Sequence, residues 1–385
     1  MKVADVALAK ELGAMFRSRS RVLIVCNEDK FFLTHRASWA VALDESGCEV
    51  MVAATDTGYR AKIEELGFEF LVMPSLREGV GPLRTLTGLL RLLYLYLRVR
   101  PNKVLLIGTA AYTVGCIPTP WFKSTDFVRF VTGNGRLLDT QSPFTGVAGR
   151  LWRRAARAPN VSTVFQTSAD LSLFTERQWA DPDRTIVIRG TGIDTQSWTA
   201  DREPRQPTAM FAGRLFDEKG VPEFIEIAKR LATIPARFVI VGTPDLGVAS
   251  ATDIDALREL ERQDIVEYWG PSNNMSATLG MADVILLPTR HPEGTPRILI
   301  EAGASGLPVI ASDIPGCREV VDSGVTGVLI PVQQVDEWVA AASSLLQDQE
   351  RRTAMGKRAR EKIEREFGLA GVVSQLFAFI GIEAR

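Results

Sequence analysis

Two carboxylates lie near a predicted helix start in the second half of the chain, within RHPEGTPRILIEAGASGLPVIASDIPGCREVV from Arg290 to Val321. A predicted strand, DVILLP, comes first, and the proline at position 296 suits the first turn of a helix. The loop between them should present backbone N–H groups and the positive end of the helix dipole. The pattern therefore predicts a binding site for a phosphate group.

The two carboxylates belong to Glu293, in the loop, and Glu301, about two helical turns further on. At that spacing both can contact one extended ligand at different points. The alternatives are a first-turn acid at Glu293 and a solvated helix residue at Glu301. The neighbours of Glu301, AGASG, are small and apolar and leave a lone carboxylate little structural role, which favours the ligand contact.

Two cations mark a second strand-to-helix junction, FAGRLFDEKGVPEFIEIAKRL. The strand is predicted to end at Gly213 and the next helix to begin near Val221. Arg214 and Lys219 bracket the turn between them. Arginine forms bidentate hydrogen bonds and lysine acts as a point charge, so the pair can hold a diphosphate from two sides. The alternative is a pair of solvated surface cations.

Short β-branched runs alternate with helical patterns through both halves of the chain. The predicted strands of the first half are RVLIVC, EVMVAA, FEFLVM, KVLLIG, FVRFVTG and STVFQT. Those of the second half are TAMFAG, ARFVIVG, IVEYWG, DVILLP, LPVIAS and GVLIP. Such alternation predicts parallel sheets with crossover helices, and 385 residues suffice for two cores. The predicted fold class is α/β, with two Rossmann-like, doubly wound domains.

In TIVIRGTGIDTQSWTADREPRQP, between the two sets, an apolar strand gives way to Gly, Asp and Pro residues without helical periodicity. We predict an N-terminal domain over residues 1–189, a hinge over 190–206 and a C-terminal domain over 207–367. The last segment, 368–385, is apolar and too short to form another domain. We expect it to form a helix that packs back across the domain interface.

The composition argues against several classes of protein. A net charge of −1 argues against a nucleic-acid binder. The four cysteines form no C-x-x-C pair, and with only two histidines no zinc-ligand cluster arises at motif spacing. The first residues, MKVADVALAKELGAMF, are interrupted by Asp5 and Glu11 and do not resemble a secretory signal, so we expect a cytoplasmic protein.

The motifs of the second half resemble a known family. E-G-x-P-x-x-x-x-E from Glu293 to Glu301, the preceding ADVILLP, the following GLPVIASDIPGCREVVDSGVTGVLI, and GRLFDEKG are similar to the retaining glycosyltransferases of family 4, which have the GT-B fold. The resemblance covers residues 186–367. It extends more weakly through FFLTHRASWAVALDESGCEVMVAAT, FVTGNG, VFQTSAD and RGTGID, which resemble the subgroup that builds lipid-linked bacterial glycans such as O-antigen, capsule or glycoprotein glycans.

This resemblance implies a role for each candidate residue of the second half. Arg214 and Lys219, with Gly213 beside them, would bind the diphosphate of a nucleotide-sugar donor. Glu301 would bind the ribose hydroxyls and Glu293 the hydroxyls of the donor sugar. The remaining donor contacts would come from the backbone at Gly294, Thr295, Pro296 and Arg297.

The resemblance also implies the reaction and its partners. Members of the family have two Rossmann-like domains that face each other across a central cleft. They retain the anomeric configuration of the transferred sugar. They need no metal and no other cofactor, because Arg and Lys neutralise the leaving diphosphate. The expected donor carries uridine, which is common among the nearest relatives. The expected acceptor is a glycan or a polyprenyl-diphosphate-linked glycan.

The first half departs from the family at two places. CNEDKFFLTHR replaces the glycine-rich loop common after the first strand, and Val131-Thr132-Gly133-Asn134-Gly135 replaces the usual acceptor-side His-Gly pair. The candidate acceptor contacts here are Arg129, Thr132 and Asn134. His35 is a candidate substrate contact or general base, and its alternative is a packing or capping residue.

Two D-x-D segments invite comparison with the metal site of the other major glycosyltransferase fold. Asp181-x-Asp183 is interpreted as a turn and Asp253-x-Asp255 as an acidic helix start, whereas a metal site should cap a central strand beside the donor. We predict no metal site.

One region of the first half is strongly basic. Between residues 80 and 160 the acids are Asp126 and Asp139, against many arginines. LRTLTGLLRLLYLYLRVRPNK is predicted to be a helix whose apolar surface is interrupted by arginines, and LWRRAARAP ends a second basic helix. Neither is long enough to span a membrane, so the alternatives are peripheral contact with an anionic membrane and a buried helix with snorkelling arginines.

Two other functions remain open at this stage. A nucleotide-sugar 2-epimerase shares the fold but would need more acid-base residues than this histidine-poor chain offers. A catalytically silent sugar-nucleotide-binding protein would retain the same motifs.

Overall fold

The structure, a computed structural model, describes residues 3–17, 19–75, 82–133, 143–198, 206–245 and 247–384. The chain divides into two compact units. Unit 1 is Met1–Gly192 together with Leu369–Arg385, and unit 2 is Ile193–Gly368.

Unit 1 is built on a seven-stranded parallel sheet with the order β4-β3-β2-β5-β6-β7-β8. Its elements up to the end of that sheet are α1 (Val3–Ala14), β1 (Phe16–Arg17), β2 (Arg21–Glu28), α2 (Asp29–His35), α3 (Ala37–Glu45), β3 (Glu49–Thr55), α4 (Arg60–Glu64), β4 (Glu69–Val72), α5 (Pro82–Val99), β5 (Lys103–Ile107), α6 (Thr109–Gly115), β6 (Asp126–Val131), α7 (Pro143–Ala156), β7 (Val161–Phe165), α8 (Ser168–Glu176) and β8 (Thr185–Val187).

Both faces of this sheet are covered by helices, because its strands are apolar on both sides. On one face Val22, Ile24 and Val52 pack against α3. On the other face, Leu23 and Leu106 pack in a separate core that includes buried residues of α5, α6, α7 and α8.

Unit 2 is built on a six-stranded parallel sheet with the order β11-β10-β9-β12-β13-β14. Its elements are β9 (Thr208–Leu215), α9 (Val221–Arg230), β10 (Arg237–Pro244), α10 (Ile254–Arg262), β11 (Glu267–Gly270), α11 (Met275–Gly280), β12 (Val284–Leu287), α12 (Arg297–Ala304), β13 (Val309–Ser312), α13 (Pro315–Val320), β14 (Gly327–Ile330), α14 (Val335–Gln347) and α15 (Gln349–Phe367).

The C-terminal segment returns to unit 1. Helix α16 (Leu369–Phe379) buries Leu369, Val372 and Leu376 in the same core as α3, and β15 (Glu383–Ala384) pairs antiparallel with β1. The predicted last helix is present, and it packs in the core of unit 1.

Unit 2 begins earlier than the sequence indicates. Ile193 and Trp198 are buried in its core, although the sequence assigns them to the hinge of 190–206. The amide of Ile193 donates to the Phe367 carbonyl at 3.0 Å, so the first and last residues of unit 2 are adjacent. Positions 199–205 of the predicted hinge lie outside the described residues.

The predicted strands of both halves are all present, which confirms the α/β fold class with two Rossmann-like sheets. The sequence analysis does not predict the short β1–β15 ribbon or helix α2, whose residues lie in the segment that replaces the glycine-rich loop.

Candidate active site

The turn between β9 and α9 is packed against the end of β12. It contains a 3-10 turn, Asp217–Lys219, and then Gly220, whose φ of 96° lies in the left-handed region. A Cβ at Gly220 would lie 2.2 Å from the Pro288 carbonyl oxygen, so only glycine permits this approach. The turn thereby brings Lys219 to the loop that follows β12.

Lys219 and Glu293 form an ion pair at this point. The Lys219 ammonium donates to a carboxylate oxygen of Glu293, and the two side chains are only 12% and 14% exposed. Because a charge shielded from water is costly without a partner, each side chain helps to hold the other in place. Two residues that the sequence assigns to one ligand therefore lie side by side.

Hydrogen bonds fix the loop after β12 to the turn before α9. The Glu218 carbonyl accepts from the amides of Arg290 at 2.7 Å and His291 at 2.9 Å. The Thr289 hydroxyl donates to the same carbonyl at 3.2 Å and accepts from the His291 amide at 3.1 Å. The turn and the loop are thus one hydrogen-bonded unit.

The first turn of α13 closes the other side of this loop. A Cβ at Gly316 would lie 1.9 Å from the Gly294 carbonyl oxygen and 2.6 Å from that of Glu293. The next residue, Cys317, is buried, and burial together with the nearby Glu293 charge raises the pKa of its thiol. Cys317 is therefore a protonated packing residue rather than a nucleophile.

Helix α12 begins at Arg297, one residue later than predicted. Pro296 is its N-cap residue, with φ −63° and ψ 114°, and its side chain makes no capping hydrogen bond. The positive end of the helix dipole therefore lies beside the loop that contains Glu293 and Gly294.

Glu301 is buried in α12 rather than solvated. Its carboxylate accepts from Nε of Arg297 at 2.7 Å, one helical turn away. This burial removes the solvated alternative. A carboxylate has two oxygens, so this hydrogen bond leaves acceptor capacity for a further donor.

Arg214 lies at the same edge of the sheet. Its guanidinium donates to the Asp245 carboxylate and lies 5.2 Å from the centre of the Phe216 ring. Asp245 follows β10, the strand paired with β9, with Thr243 opposite Arg214 in the register. The sequence analysis missed Asp245, although its position after a neighbouring parallel strand is a usable signal.

His291 lies among these charges. Burial lowers the pKa of its imidazole, Lys219 and Arg214 lower it further, and Glu293 opposes them. Its ring meets the Phe216 ring edge to face, with centroids 5.5 Å apart. Arg214 therefore belongs to the same electrostatic cluster as Lys219 and Glu293, around an imidazole whose protonation these surroundings disfavour.

His35, the candidate in unit 1, lies at the end of α2. Its Nδ1 is 2.7 Å from the Thr34 hydroxyl and 3.3 Å from the Phe31 carbonyl, and its ring stacks on Phe31 with centroids 4.5 Å apart. These contacts fit the packing alternative.

Arg129 corrects the predicted acceptor side. Its guanidinium is 1% exposed and donates to the Thr163 hydroxyl at 2.7 and 3.0 Å and to the Trp179 carbonyl at 2.8 Å. It lies on a strand face covered by helices, so it is a structural residue of unit 1. Thr132 follows β6 and is partly exposed, and Asn134 lies outside the described residues.

A buried aspartate occupies the place of the glycine-rich loop. The Asp29 carboxylate accepts from the amides of Thr57 and Tyr59, each at 2.8 Å, and from the Thr57 hydroxyl. These bonds lower the pKa of Asp29 against the opposing effect of its burial. They tie the start of α2 to the segment after β3.

The two D-x-D segments serve local structure. Asp181 accepts from the Asp183 amide at 3.0 Å to start a 3-10 turn, and Asp253 accepts from the Asp255 amide at 2.9 Å to cap α10. Among the residues that the structure describes, no group of three or more His, Cys, Asp or Glu side chains is arranged to hold a metal ion.

The family model described as glycosyl transferases group 1 matches residues 193–362, nearly all of unit 2. Unit 2 belongs to the group 1 glycosyltransferases. The chain is similar in structure to Anabaena HepE (Alr3699) in complex with UDP and glucose, with a TM-score of 0.75 and 17% identity over 94% of this chain and 100% of that one. This likeness shows the fold, which is the GT-B fold that the motifs implied.

Two relatives show how far sequence similarity to other glycosyltransferases extends. The alpha-maltose-1-phosphate synthase of Mycolicibacterium smegmatis is 29% identical over 51% of this chain and 56% of its own length. The N,N'-diacetylbacillosaminyl-diphospho-undecaprenol alpha-1,3-N-acetylgalactosaminyltransferase of Campylobacter jejuni is 23% identical over 83% of this chain and 87% of its own length. The chain therefore covers little more than half of the first protein and most of the second.

Proposed function

We propose that this protein is a retaining, metal-independent glycosyltransferase that moves a sugar from a UDP-sugar to a glycan or polyprenyl-diphosphate-linked glycan in cell-surface polysaccharide synthesis. The observation that carries the proposal is the shielded Lys219–Glu293 pair beside the positive end of α12. A cation, a carboxylate and a helix N-terminus at one place suit a ligand that carries both phosphate and sugar hydroxyl groups.

Lys219 and Arg214 bind the donor diphosphate in this proposal. The Lys219 ammonium has three donor hydrogens, so it can keep its bond to Glu293 while it contacts a phosphate oxygen. Arg214 is mostly exposed and can turn from Asp245 towards the ligand. The amides at the start of α12 complete the phosphate contacts.

The carboxylates bind hydroxyl groups. Glu293 accepts from the hydroxyls of the donor sugar, and Glu301 accepts from the ribose hydroxyls while Arg297 fixes its orientation. A buried, oriented carboxylate favours a ligand with a hydroxyl group over one with an apolar group at that position. An apolar group would leave the buried carboxylate without a hydrogen-bond donor, which costs free energy of binding.

The reaction depends on stabilising the leaving group. The acceptor oxygen bonds to the anomeric carbon on the face from which the diphosphate departs, and the sugar–phosphate bond breaks. The acceptor proton passes to the departing phosphate oxygen. Arg214, Lys219 and the helix dipole stabilise the negative charge that develops there.

One structural neighbour and one relative support the finer choices. UDP is bound in the HepE structure, and the Campylobacter relative is named for a diphospho-undecaprenol acceptor. We assign the acceptor to unit 1 and place the enzyme in the cytoplasm at the inner face of the plasma membrane. Within the part of the chain that the structure describes, no helix is both long and apolar enough to cross a bilayer.

The test is a transfer assay with a panel of UDP-sugars and an undecaprenyl-diphosphate-linked glycan. We expect UDP release that depends on acceptor and a product whose NMR coupling constants show the donor's anomeric configuration. An inverted product would contradict retention. An epimer formed without acceptor would favour the epimerase, and a protein that binds UDP-sugars without turnover would favour the silent alternative.

A further inference from the structure

Helix α5 has an apolar stripe on its outer surface. Leu86, Leu90, Tyr94 and Leu97 follow one another at helical spacing and are between 49% and 60% exposed. The opposite side of the helix is the one that packs, because Leu92, Leu95 and Val99 lie in the core of unit 1. Helix α5 is therefore only partly buried, and its exposed side presents apolar side chains to solvent.

An exposed tryptophan lies near the end of this stripe. The ring of Phe122 packs on Tyr96 of α5, with centroids 5.5 Å apart, and the preceding residue, Trp121, is 70% exposed. Exposed large apolar side chains that cluster on one surface mark an interaction site. Aromatic residues at such a site suit the boundary between lipid and water.

The helices beside this stripe are basic. Helices α5, α6, α7 and α8 contribute to one core and cover this face of the sheet. The first three, Pro82–Val99, Thr109–Gly115 and Pro143–Ala156, contain no acidic residue, and the acids of these four helices lie on α8 (Ser168–Glu176). The outer stripe of α7 is basic, with exposed arginines at positions 150, 153 and 154.

We propose that the outer stripes of α5 and α7, with Trp121, form a docking surface for an anionic lipid bilayer. The apolar stripe of α5 inserts at the level of the headgroups, and the arginines of α7 contact the negative lipid phosphates. Charge decides between occupants, because the outer stripes of α5 and α7 themselves contain apolar residues and cations and no acid. Such stripes complement an anionic bilayer and would repel a second copy of themselves. Glu69 beside α5 pairs with Arg98, so the arginines of α7 supply the positive charge in this proposal. The inference rests on the proposed location of the enzyme, and it adds the surface and the manner of contact.

Binding to vesicles of phosphatidylcholine, with and without phosphatidylglycerol, tests the surface on the full chain. We expect wild-type protein to bind the anionic vesicles at least about tenfold more tightly than the neutral ones at low salt. Leu90→Ser/Leu97→Ser should lose about tenfold at low and high salt, because apolar insertion is not screened. Arg153→Glu/Arg154→Glu should lose binding mainly at low salt.

Ile254→Ser/Val325→Ser is the matched control, since both residues are exposed apolar side chains of unit 2. It should bind vesicles as the wild type does. Equal losses in the control and in Leu90→Ser/Leu97→Ser would overturn the assignment to α5. So would a wild-type dimer that Leu90→Ser/Leu97→Ser converts to a monomer in analytical ultracentrifugation, because a second copy would then be the occupant.

Trp121 provides a readout of insertion itself. All seven tryptophans lie in the described residues, and the side chain of Trp121 is the one that is exposed. Lipids brominated near the headgroup should quench the fluorescence of the bound wild type, and Trp121→Phe should abolish most of that quenching while it still binds. Unchanged quenching in Trp121→Phe would contradict the proposed contact.

UDP-sugar binding, measured on the same preparations, separates the two proposals. A wild type that binds vesicles but no UDP-sugar contradicts the proposed function alone. A wild type that binds UDP-sugar but neither type of vesicle contradicts the docking surface alone.

Discussion

Replacement of Lys219 by methionine removes the ammonium group and keeps most of the side-chain volume. Two separate effects follow, because this ammonium is paired with Glu293 in the structure and is assigned to the donor diphosphate in the reaction. The first effect is on stability. Glu293 is left as a shielded carboxylate without its partner, which costs about 1 to 3 kcal/mol. A domain with the usual stability of about 5 to 15 kcal/mol remains folded at that cost.

The second effect is on the rate. Loss of one charge-assisted contact to the leaving diphosphate raises the barrier by about 3 kcal/mol, which is on the order of a hundredfold in turnover. The melting temperature should fall by roughly 2 to 12 °C, since 1 kcal/mol corresponds to about 2 to 4 °C in a domain of this size. Circular dichroism melting and UDP release at saturating donor measure the two effects on the same variant.

The double variant Lys219→Met/Glu293→Gln separates these effects. Removal of the unpaired carboxylate should restore part of the lost stability, while turnover stays low because the diphosphate still lacks its cation. Lys229→Met, at an exposed position of α9, is the control and should change neither quantity strongly. Turnover that returns to wild type in the double variant, or a folded Lys219→Met with wild-type turnover, would refute the diphosphate contact.

Three further outcomes are expected. Glu301→Ala should weaken UDP binding by calorimetry at least about tenfold, whereas Glu226→Ala, at an exposed position, should not. Activity should survive a strong chelator, since Arg214 and Lys219 supply the positive charge; loss of activity that manganese restores would contradict this. The folded state disfavours protonation of His291, so stability should fall as the pH falls through the unfolded imidazole pKa of about 6.5. His291→Gln should flatten that dependence in melts between pH 7.5 and pH 5.5, and an unchanged slope would contradict it.

The strands and the candidate donor residues follow from local sequence. The β-branched runs that predict β2 and β9 form strands because those runs are apolar enough to be buried on both faces of a parallel sheet. Asp181 starts a turn and Asp253 starts a helix, as predicted. A capping aspartate accepts a hydrogen bond from a backbone amide only a few residues away, so the local sequence is enough to predict it.

The predicted unit boundaries are wrong where they depend on contacts between segments that are far apart in the chain. Helix α16 follows unit 2 in sequence and packs in unit 1 because its apolar residues complete the core around α3. Trp198 lies in a stretch that resembles a linker, yet it is buried in the core of unit 2. The sequence shows that such residues are apolar and will be buried. It does not show in which of the two cores they are buried.

The sequence by itself determined the fold class and the residue types of the candidate donor site, because strand periodicity and residue type at strand ends are encoded within a few positions of one another. Only the tertiary structure decided that Lys219 pairs with Glu293, that Arg129 is enclosed, and that one stripe of apolar side chains on α5 faces outward. The physical reason is that burial and ion pairing depend on contacts between segments far apart in the chain. Those contacts are set by the register and packing of whole strands and helices. The local sequence around a cation at the end of a predicted strand therefore does not indicate whether a carboxylate, a hydroxyl or solvent will lie beside it.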